Sequence, residues 1–444
     1  MNGELSLETR FDRQLAKLAL PAGPALVAVS GGADSLALLA LLVRSPAAGE
    51  LALQVAHTDH GLHPDSAAVA EAVETVAREY GLPFLATRLA LPQGTSETAA
   101  RSARYAWLLA EADRLDALLF TAHHRDDQIE TILMRVLKGS GPAGLAGIPS
   151  RRDRLVRPLL PFRHQELADY LRGLGRTWWE DPANTELRHE RSWLRAEILP
   201  LLRRRLPALD QRLLSLGRQA AADRAGWDAL LVQIPGLDIQ WAADGVSVAA
   251  TPLRGYDSAI LRALLGALGR RAGCLIGPAR AARIERLLAR GRSGAVAELG
   301  AGFAAELTFG RLRLFRDPGH RPQWGGTPLT GSDGALQLGP WRISWREEAA
   351  PERLDRTASV SWLAEGSYTV RPWRAGDRIR PLGGTGRRLV VRCMQEAKIP
   401  RSQRVGWPVI EASGVVVWVP GVCRSADRIP APGGRARRID AERL

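Results

Sequence analysis

The sequence predicts an α/β protein whose N-terminal domain contains a doubly wound, mostly parallel sheet, followed by two smaller domains, one α/β and one rich in strands. Three observations predict this architecture. Apolar runs of strand length alternate with helical segments from about residue 24 to residue 174. Residues 209–315 mix helical spacing with short alternating runs, and the chain from 333 onward contains mainly short strands between glycines and prolines.

The length of the chain and its proline- and glycine-rich segments predict where the domains divide. The chain has 444 residues, which exceeds what a single hydrophobic core usually serves. Prolines and glycines without periodicity between 318 and 332 indicate a linker or loop. We therefore expect domains at 1–215, 216–318 and 333–444.

The first element, Leu26–Val43, predicts a strand, a tight turn and a helix. Its glycines permit positive φ and leave backbone N–H groups to an anion, and the following helix adds its positive end. Asp34 and Ser35 are residue types that cap helices, so we expect the cap there. No lysine of the Walker type follows the glycines, which suits a pyrophosphate that is released; an ordinary strand-to-helix turn is the alternative. We call this turn the phosphate loop, and its residues are Ser30, Gly31, Gly32, Ala33, Asp34 and Ser35.

The next strands are predicted at Leu51–His57 and Phe84–Leu91. Ligands bind outside the carboxyl ends of strands in open α/β sheets. We therefore expect His57, Asp59 and His60 to lie on the same edge as the phosphate loop. A polar loop that only precedes the next helix is the alternative.

The segment Ser96–Leu109 predicts a helix with Ser96 as its cap. Arg101, Arg104 and Tyr105 recur at i, i+3 and i+4, so they share one face. Two arginines on one face are consistent with a solvated surface and equally with a clamp for an anion.

A fourth strand, Ala117–Ala122, ends in ionisable side chains at the start of the next helix. His123 and Asp127 are four residues apart and lie together if that helix begins by residue 124. Histidine and aspartate at such spacing also ligate metals. The cysteine-free, helix-capping context favours a divalent cation held mainly through a bound phosphate. The cluster consists of His123, His124, Asp126 and Asp127.

Two later segments are rich in glycine and in arginine. The run Lys138–Gly147 is too glycine-rich for regular structure and suits a loop at a site or against RNA, with a flexible connector as an equal alternative. Arg188, Arg191 and Arg195 recur at i, i+3 and i+7 and form one helical face. Such a stripe is usually a solvated surface.

Several of these segments resemble one protein family. The phosphate loop resembles the signature of the PP-loop ATP pyrophosphatases, whose fold is of the adenine nucleotide α-hydrolase type. The segments His57–Leu62, Thr121–Gly147 and Asp181–Pro200 resemble the tRNA(Ile)-lysidine synthetase branch of these enzymes, and residues from about 369 to 428 resemble its C-terminal module. Thr121–Gly147 is the most specific of these matches.

The resemblance implies an ATP-dependent ligase that uses Mg²⁺. It would adenylate the wobble cytidine of a tRNA(Ile) with a CAU anticodon at the C2 oxygen, releasing pyrophosphate, and free L-lysine would then displace AMP to give lysidine. The implied cofactor-binding residues are Ser30, Gly31, Gly32, Ala33, Asp34, Ser35, His57 and Asp59, with Asp34 facing Mg²⁺. The implied catalytic residues are Asp34, His123, Asp127, Arg101, Arg104 and Arg195. Whether a carboxylate or an imidazole takes the proton from lysine stays open.

Charge is distributed unevenly along the chain. Residues 1–150 hold 12 Lys and Arg against 17 Asp and Glu, whereas the overall net charge is +14. Residues 371–444 hold 16 basic and 6 acidic residues. A domain this basic is typical of a nucleic-acid contact surface, so we expect the C-terminal domain to bind tRNA. The arginine-rich helix 280–292 predicts a tRNA contact of the middle domain, with an ordinary solvated surface as the favoured alternative.

The sequence also bears on the cellular location and the oligomeric state of the protein. No uninterrupted apolar run reaches the ~18 residues of a membrane span, and nothing at the N-terminus has the pattern of a signal peptide. We therefore expect a cytoplasmic protein without membrane contact. Cys274, Cys393 and Cys423 are far apart and predict neither a disulfide framework nor a local zinc site. The oligomeric state stays open, with a homodimer as one alternative.

Two rival functions make different predictions. A tRNA 2-thiolation enzyme shares the PP-loop but needs cysteine chemistry near the site, and residues 1–273 contain no cysteine. A non-catalytic RNA-binding protein would explain the basic C-terminus but not the polar side chains at successive strand ends. Release of pyrophosphate in the presence of tRNA separates an enzyme from a binder.

Overall fold

The computed structural model divides into two compact units, Met1–Gly226 and Trp227–Leu444. The finer domain boundaries expected from the sequence stay a prediction. The residues that the structure describes are 5–59, 65–89, 91–92, 95–180, 190–242, 244–317 and 324–444. His60, the segment 181–189 with Arg188, and the first part of the expected linker lie outside them.

The first unit alternates strands and helices as the sequence predicts. Its strands are β1 Gly23–Ala28, β2 Leu51–Asp59, β3 Phe84–Arg88, β4 Leu118–Phe120, β5 Arg151–Arg152 and β6 Leu155–Val156. Its helices are α1 Leu7–Lys17, α2 Ala33–Arg44, α3 Ser66–Glu79, α4 Glu97–Arg114, α5 Arg125–Leu137, α6 His164–Gly173, α7 Glu190–Trp193, α8 Leu199–Arg205 and α9 Leu209–Leu230, the last of which ends in the second unit. Short 3₁₀ turns occupy Pro46–Ala48 and Pro142–Ala146, and Leu194–Ile198 is π-helical.

The sheet of the first unit is parallel except at one edge. Within the described residues its strand order is β3-β2-β1-β4-β6-β5, and β1 pairs in parallel with both β2 and β4. The predicted doubly wound, mostly parallel sheet is therefore confirmed. Strands β5 and β6 are not predicted by the sequence pattern: β6 extends the sheet in parallel with β4, and β5 pairs antiparallel with β6.

Both faces of this sheet are buried by helices, because successive strand residues point to opposite sides. Ala25 and Val27 join a core with residues of α1, α2, α3 and α6. Leu26, between them in sequence, joins a separate core with Leu108 and Ala112 of α4. Strand β1 is thus covered on both faces, and its carboxyl end carries the phosphate loop at the centre of the sheet.

The glycine-rich run after α5 is held by side chains of that helix. The amide of Gln128 both donates to Ile148 O and accepts from Ile148 N, and Arg135 donates to Gly144 O and Gly147 O. The expectation that this run has no regular structure is wrong for the 3₁₀ turn within it. Side-chain hydrogen bonds to the backbone provide what glycine lacks in intrinsic preference.

The second unit contains more strand than helix. Its helices are α10 Ala250–Arg254, α11 Ser258–Arg271, α12 Pro278–Arg290, α13 Val390–Glu396 and α14 Arg401–Arg404. Its strands are β7 Gln240–Ala242, β8 Gly245–Ala249, β9 Ala295–Gly300, β10 Phe303–Thr308, β11 Arg311–Arg316, β12 Thr327–Pro328, β13 Gly334–Leu338, β14 Trp341–Ala349, β15 Val360–Leu363, β16 Thr369–Pro372, β17 Arg378–Ile379, β18 Arg388–Leu389, β19 Pro408–Ala412, β20 Val415–Val419, β21 Cys423–Arg424 and β22 Arg435–Arg443.

Antiparallel sheets organise this unit. One has the order β7-β8-β11-β10-β9 and packs with α11 and α12 around a shared apolar core. Two others, β12-β16-β19-β20-β21 and β13-β14-β22-β15, share a second core rich in tryptophan. This agrees with the expected succession of an α/β part and a strand-rich part.

A buried carboxylate joins these two parts of the second unit. Glu306 of β10 is fully buried and accepts hydrogen bonds from the backbone N–H groups of Arg401 and Ser402, at 2.8 and 3.3 Å, and from the Ser402 hydroxyl. Arg313 of β11 donates to the same hydroxyl oxygen at 2.6 Å. The N–H groups at the start of α14 thus neutralise a charge that is costly to bury alone.

Among the described residues, no helix combines the length and the apolar composition needed to cross a bilayer.

Candidate active site

The phosphate loop folds back on itself at the start of α2. The hydroxyl of Ser35 accepts from Ser30 N at 3.1 Å and donates to Gly32 O at 2.9 Å. Gly31 has a φ of +89°. The helix cap is Gly32, which has a φ of −80° and no side chain to occupy the first-turn N–H groups. The expectation of a cap at Asp34 or Ser35 is therefore wrong, and of the two glycines Gly31 adopts the positive φ that glycine permits. The open cap leaves those N–H groups available to an anion.

Gly31 is required for a steric reason as well as a conformational one. A Cβ at this position would lie 2.6 Å from Cγ1 of Val69, whereas a Cβ at Gly32 would meet nothing closer than 3.7 Å. We expect Gly31→Ala to lower the free energy of unfolding by about 2 kcal/mol. Gly32→Ser is the matched control and should leave stability nearly unchanged, because serine suits an extended cap position. Urea unfolding of both variants measures this, and equal midpoints would contradict the assignment.

Asp34 lies in the first turn of α2 and faces two histidines. Its carboxylate accepts from Nδ1 of His164 at 2.8 Å and lies 3.4 Å from Nε2 of His124. Burial opposes ionisation of Asp34, but the hydrogen bonds and charges of the two imidazoles outweigh burial and hold its pKa well below the ordinary value. Asp34 therefore remains an anion at neutral pH.

His124 caps α5 and is surrounded by carboxylates. Its Nδ1 accepts from Asp126 N at 3.2 Å, so Nε2 carries the proton that faces Asp34. Burial disfavours a second proton, but Asp34, Asp127 and Asp126 together raise the pKa to about 9. At neutral pH this pKa favours a second proton on Nδ1, which gives up the amide contact and faces the Asp126 carboxylate at 3.7 Å.

Asp127 and Glu130 of α5 bind two arginines at the carboxyl ends of the parallel strands. Asp127 accepts from His124 N at 3.0 Å and from Arg191 at 2.8 Å. Burial raises its pKa, but His124 and Arg191 outweigh burial, so the pKa of Asp127 lies below the ordinary value. Glu130 is 1% exposed and accepts from Arg191 at 2.7 Å and from Arg195 at 2.6 Å. The π-helical Leu194–Ile198 carries Arg195, and such segments recur at functional sites.

Glu130 was missed by the sequence analysis. A signal was present, because Glu130 follows Asp127 by three residues and so shares its face of α5. Its buried carboxylate fixes Arg191 and Arg195, which are the members of the predicted arginine stripe that the structure describes. Arg191 and Arg195 are therefore paired with carboxylates of the site.

His123 points away from its neighbour His124. Its Nε2 accepts from Arg101 at 2.8 Å and its Nδ1 lies 3.1 Å from the Thr121 hydroxyl. Burial lowers the pKa of His123 to about 3, and the positive charge of Arg101 lowers it too, against the opposing charge of Asp127. His123 is therefore a neutral acceptor. No hydrogen bond joins His123 and Asp127 among the described residues, because α5 starts at residue 125 and leaves His123 outside the helix.

The other predicted site residues lie beside this pocket or at the neighbouring strand end. The guanidinium groups of Arg101 and Arg104 lie over the Tyr105 ring, at 5.4 and 5.6 Å from its centroid. His57 is buried and its Nδ1 donates to Val29 O at 2.8 Å, which joins the ends of β2 and β1. Asp59, the last residue of β2, lies 3.6 Å from Arg88. A direct contact of His57 or Asp59 with a nucleotide stays a prediction.

Of the possible metal ligands near the phosphate loop, only the carboxylate of Asp34 among the described residues is of the type that magnesium prefers. Asp34, His124 and His164 bring one donor atom each within 4.8 Å of one another. Mg²⁺ prefers oxygen and is usually held by one or two carboxylates together with phosphates. The ionised Asp34 fits that role, whereas both imidazoles donate protons towards it. A bound Mg²⁺ would neutralise phosphate charge there.

A parallel sheet that carries Ser-Gly-Gly-Ala-Asp-Ser at the carboxyl end of its central strand places the first unit among the PP-loop nucleotide-binding domains. A family model described as the PP-loop domain matches residues 6–202, and one described as the TilS substrate C-terminal domain matches residues 368–439.

The chain belongs to the tRNA(Ile)-lysidine synthase family. It is 35% identical to a protein of that name from Alkalilimnicola ehrlichii over 97% of this chain and 96% of the relative. It is 34% identical to one from Symbiobacterium thermophilum, over 94% and 93%. Among solved structures it is similar to a U34-tRNA thiolase from Methanococcus maripaludis, with 16% identity and a TM-score of 0.40 over 48% of this chain and 76% of that one. The family predicted from the sequence is confirmed by the relatives.

Proposed function

We propose that this protein joins L-lysine to C2 of the wobble cytidine in a tRNA(Ile) with a CAU anticodon, at the expense of ATP. One observation carries the proposal. The phosphate loop with Asp34 and the network of Asp127 with its arginines meet at one edge of the sheet, through His124, in a chain that aligns with tRNA(Ile)-lysidine synthases over almost its whole length.

The reaction has two balanced steps. The C2 oxygen of the cytidine attacks the α-phosphorus of ATP, the bond from that phosphorus to the bridging oxygen breaks, and pyrophosphate leaves with the electron pair. The lysine amine then attacks C2, AMP leaves with the former C2 oxygen, and the amine loses a proton. Negative charge develops on phosphate oxygens in the first step, which positive groups stabilise.

The residues divide between these steps. The N–H groups of the phosphate loop hold phosphates and Asp34 holds Mg²⁺. Arg101 and Arg104, with the neutral His123, form a pocket for the cytidine and its developing adenylate. Asp127 attracts the lysine ammonium and accepts its proton, and His123, whose pKa is lowered by burial and whose Nε2 accepts from Arg101, serves the cytidine instead.

The test is incorporation of radiolabelled lysine into tRNA. Purified protein with ATP, Mg²⁺ and tRNA(Ile) should bind label covalently to the tRNA and release one pyrophosphate for each lysine. Omitting lysine should leave an adenylated tRNA that is detectable by mass. Neither label nor pyrophosphate release would refute the proposed reaction. These substrates are cytoplasmic, and we propose that location for the protein.

The tRNA is proposed to contact two cationic surfaces of the second unit. The first surface is formed by exposed cations whose side chains have no hydrogen bond or ion pair to other described residues. We call them the tail cations, and they are Arg374, Arg378, Arg387, Arg392, Lys398 and Arg401. The second is an open groove of about 470 Å³, where Arg283, Arg286 and Arg290 of α12 face the edge strand β9. Binding of unpaired cations releases counterions from a nucleic acid, so the tail cations suit its phosphates. In the groove, Arg283 already donates to Glu298 O at 2.9 Å. A homodimer stays one alternative for the assembly.

We expect Arg378, Arg387 and Arg392 replaced together by glutamine to weaken tRNA binding at least about tenfold. The dependence of affinity on salt should also flatten, by roughly one unit for each phosphate that the variant fails to neutralise. The matched control replaces Arg380, Arg388 and Arg435, which are paired with Asp427, Glu396 and Glu347. Both triple variants remove the same formal charge, so filter binding across a salt series separates direct binding from net charge. An equal decrease in affinity for both variants would contradict the assignment of the tail cations.

A further inference from the structure

His164 is a titratable side chain at the site to which neither the sequence analysis nor the reaction above gives a role. It is the first residue of α6, and its backbone N–H donates to the Asp126 carboxylate at 3.1 Å. Its Nδ1 donates to Asp34 at 2.8 Å. The side chain is 53% exposed, and its Nε2 has no partner among the described residues. By contrast, His124 is buried and both of its ring nitrogens are engaged.

Three helices begin at this place. Asp34 lies in the first turn of α2, His124 caps α5, and His164 opens α6. The two imidazole rings lie 5.6 Å apart between their centroids. Each helix N-terminus carries partial positive charge, and side chains already accept from N–H groups at the starts of α5 and α6. The Asp34 carboxylate lies among these positive ends and contacts the two imidazoles, and the adjoining phosphate loop leaves its own first-turn N–H groups open.

We propose that His164 contacts the β,γ-diphosphate half of ATP and stabilises it as the leaving pyrophosphate. The inference rests on the proposed function, because the bond broken in the first step places new charge on that half. His164 is the partly exposed donor among the groups around Asp34, and its Nδ1–H lies beside the phosphate loop. Asp34 accepts this N–H in the described structure, and a phosphate oxygen would accept it instead once the Asp34 carboxylate turned to Mg²⁺. An N–H held in place where charge develops lowers the barrier, typically by a factor of 10² or more for one such donor.

Two substitutions isolate the donor. His164→Asn keeps an N–H close to the position of Nδ1, whereas His164→Leu keeps the approximate size without any donor. Gln165→Leu is the control, because Gln165 is also exposed in the first turn of α6 but its amide donates to Asp169. Thermal unfolding should be similar for all three, since the side chains concerned are exposed.

The first measurement is binding of inorganic pyrophosphate and of AMP, each by competition with ATP. We expect His164→Leu to weaken the binding of pyrophosphate at least about tenfold and the binding of AMP by less than about twofold. His164→Asn should regain most of the affinity for pyrophosphate, and Gln165→Leu should match the unchanged protein. Equal affinity for pyrophosphate in His164→Leu and the unchanged protein would overturn the inference.

The second measurement is pyrophosphate release with tRNA across a Mg²⁺ series. We expect His164→Leu to reduce the rate by about 10²-fold at every Mg²⁺ concentration. If excess Mg²⁺ or Mn²⁺ restores the rate, His164 is a metal ligand and the inference is wrong. Lysine incorporation by the unchanged protein keeps the two proposals separate: its absence refutes the ligase reaction, whereas a His164-dependent affinity for pyrophosphate supports the contact on its own.

Discussion

Replacing Asp34 by alanine is expected to reduce pyrophosphate release on the order of 10³-fold while leaving the protein folded. The carboxylate is ionised and faces the position that phosphate and metal would share, so its loss removes charge stabilisation worth several kcal/mol in the transition state. The helix keeps its cap, because Gly32 and not Asp34 occupies that position. The measurement is pyrophosphate release with tRNA, accompanied by circular dichroism to verify the fold.

Asp34→Asn separates charge from shape in the same assay. The amide keeps the size and one acceptor for His164 but carries no negative charge. We expect it to be almost as inactive as the alanine variant. A rate within about threefold of the unchanged protein for either variant would remove Asp34 from the metal-binding role.

Asp127→Asn is expected to impair the lysine step at least as much as adenylation. A neutral amide can neither attract the lysine ammonium nor accept its proton. The variant should therefore accumulate adenylated tRNA when ATP and lysine are both present, and transfer lysine to it on the order of 10²-fold more slowly. Mass spectrometry of the tRNA after single-turnover incubation measures both quantities.

The adjacent carboxylate provides the control for this prediction. Asp126 is on the same helix turn but faces Arg203 at 3.4 Å and the N–H of His164. We expect Asp126→Asn to have the smaller effect on lysine transfer. If adenylate fails to accumulate in Asp127→Asn while ATP still binds, Asp127 acts in the first step and the division of roles is wrong.

The features that the sequence predicts correctly are those that depend on neighbours in the chain. Consecutive glycines after an apolar run specify the phosphate loop, and Ser96 caps α4 by accepting from Ala99 N. Helical spacing likewise brings Arg101, Arg104 and Tyr105 to one face. Strands β5 and β6 could not be predicted in this way, because a strand of two residues is too short to show the alternation of apolar and polar side chains.

Features that depend on one residue of register, or on distant segments, could not be predicted. His123 and His124 are adjacent, and the exact start of α5 decides which of them faces Asp34. Glu130 acquires its role only when α7 and the π-helical turn bring Arg191 and Arg195 from more than sixty residues away. His164 reaches Asp34 across 130 positions, through the packing of α6 against the sheet.

The buried Glu306 bears on how such a chain can be recombined. Its charge is neutralised by N–H groups of residues 401 and 402, so the strand-rich C-terminal part is not an exchangeable module. A chimaera that takes this part from a relative needs a segment that offers the same N–H groups, or a neutral residue at position 306. Removing the strand-rich C-terminal part altogether would leave the Glu306 carboxylate without these hydrogen-bond donors. We therefore expect the two parts of the second unit to tolerate exchange better together than separately.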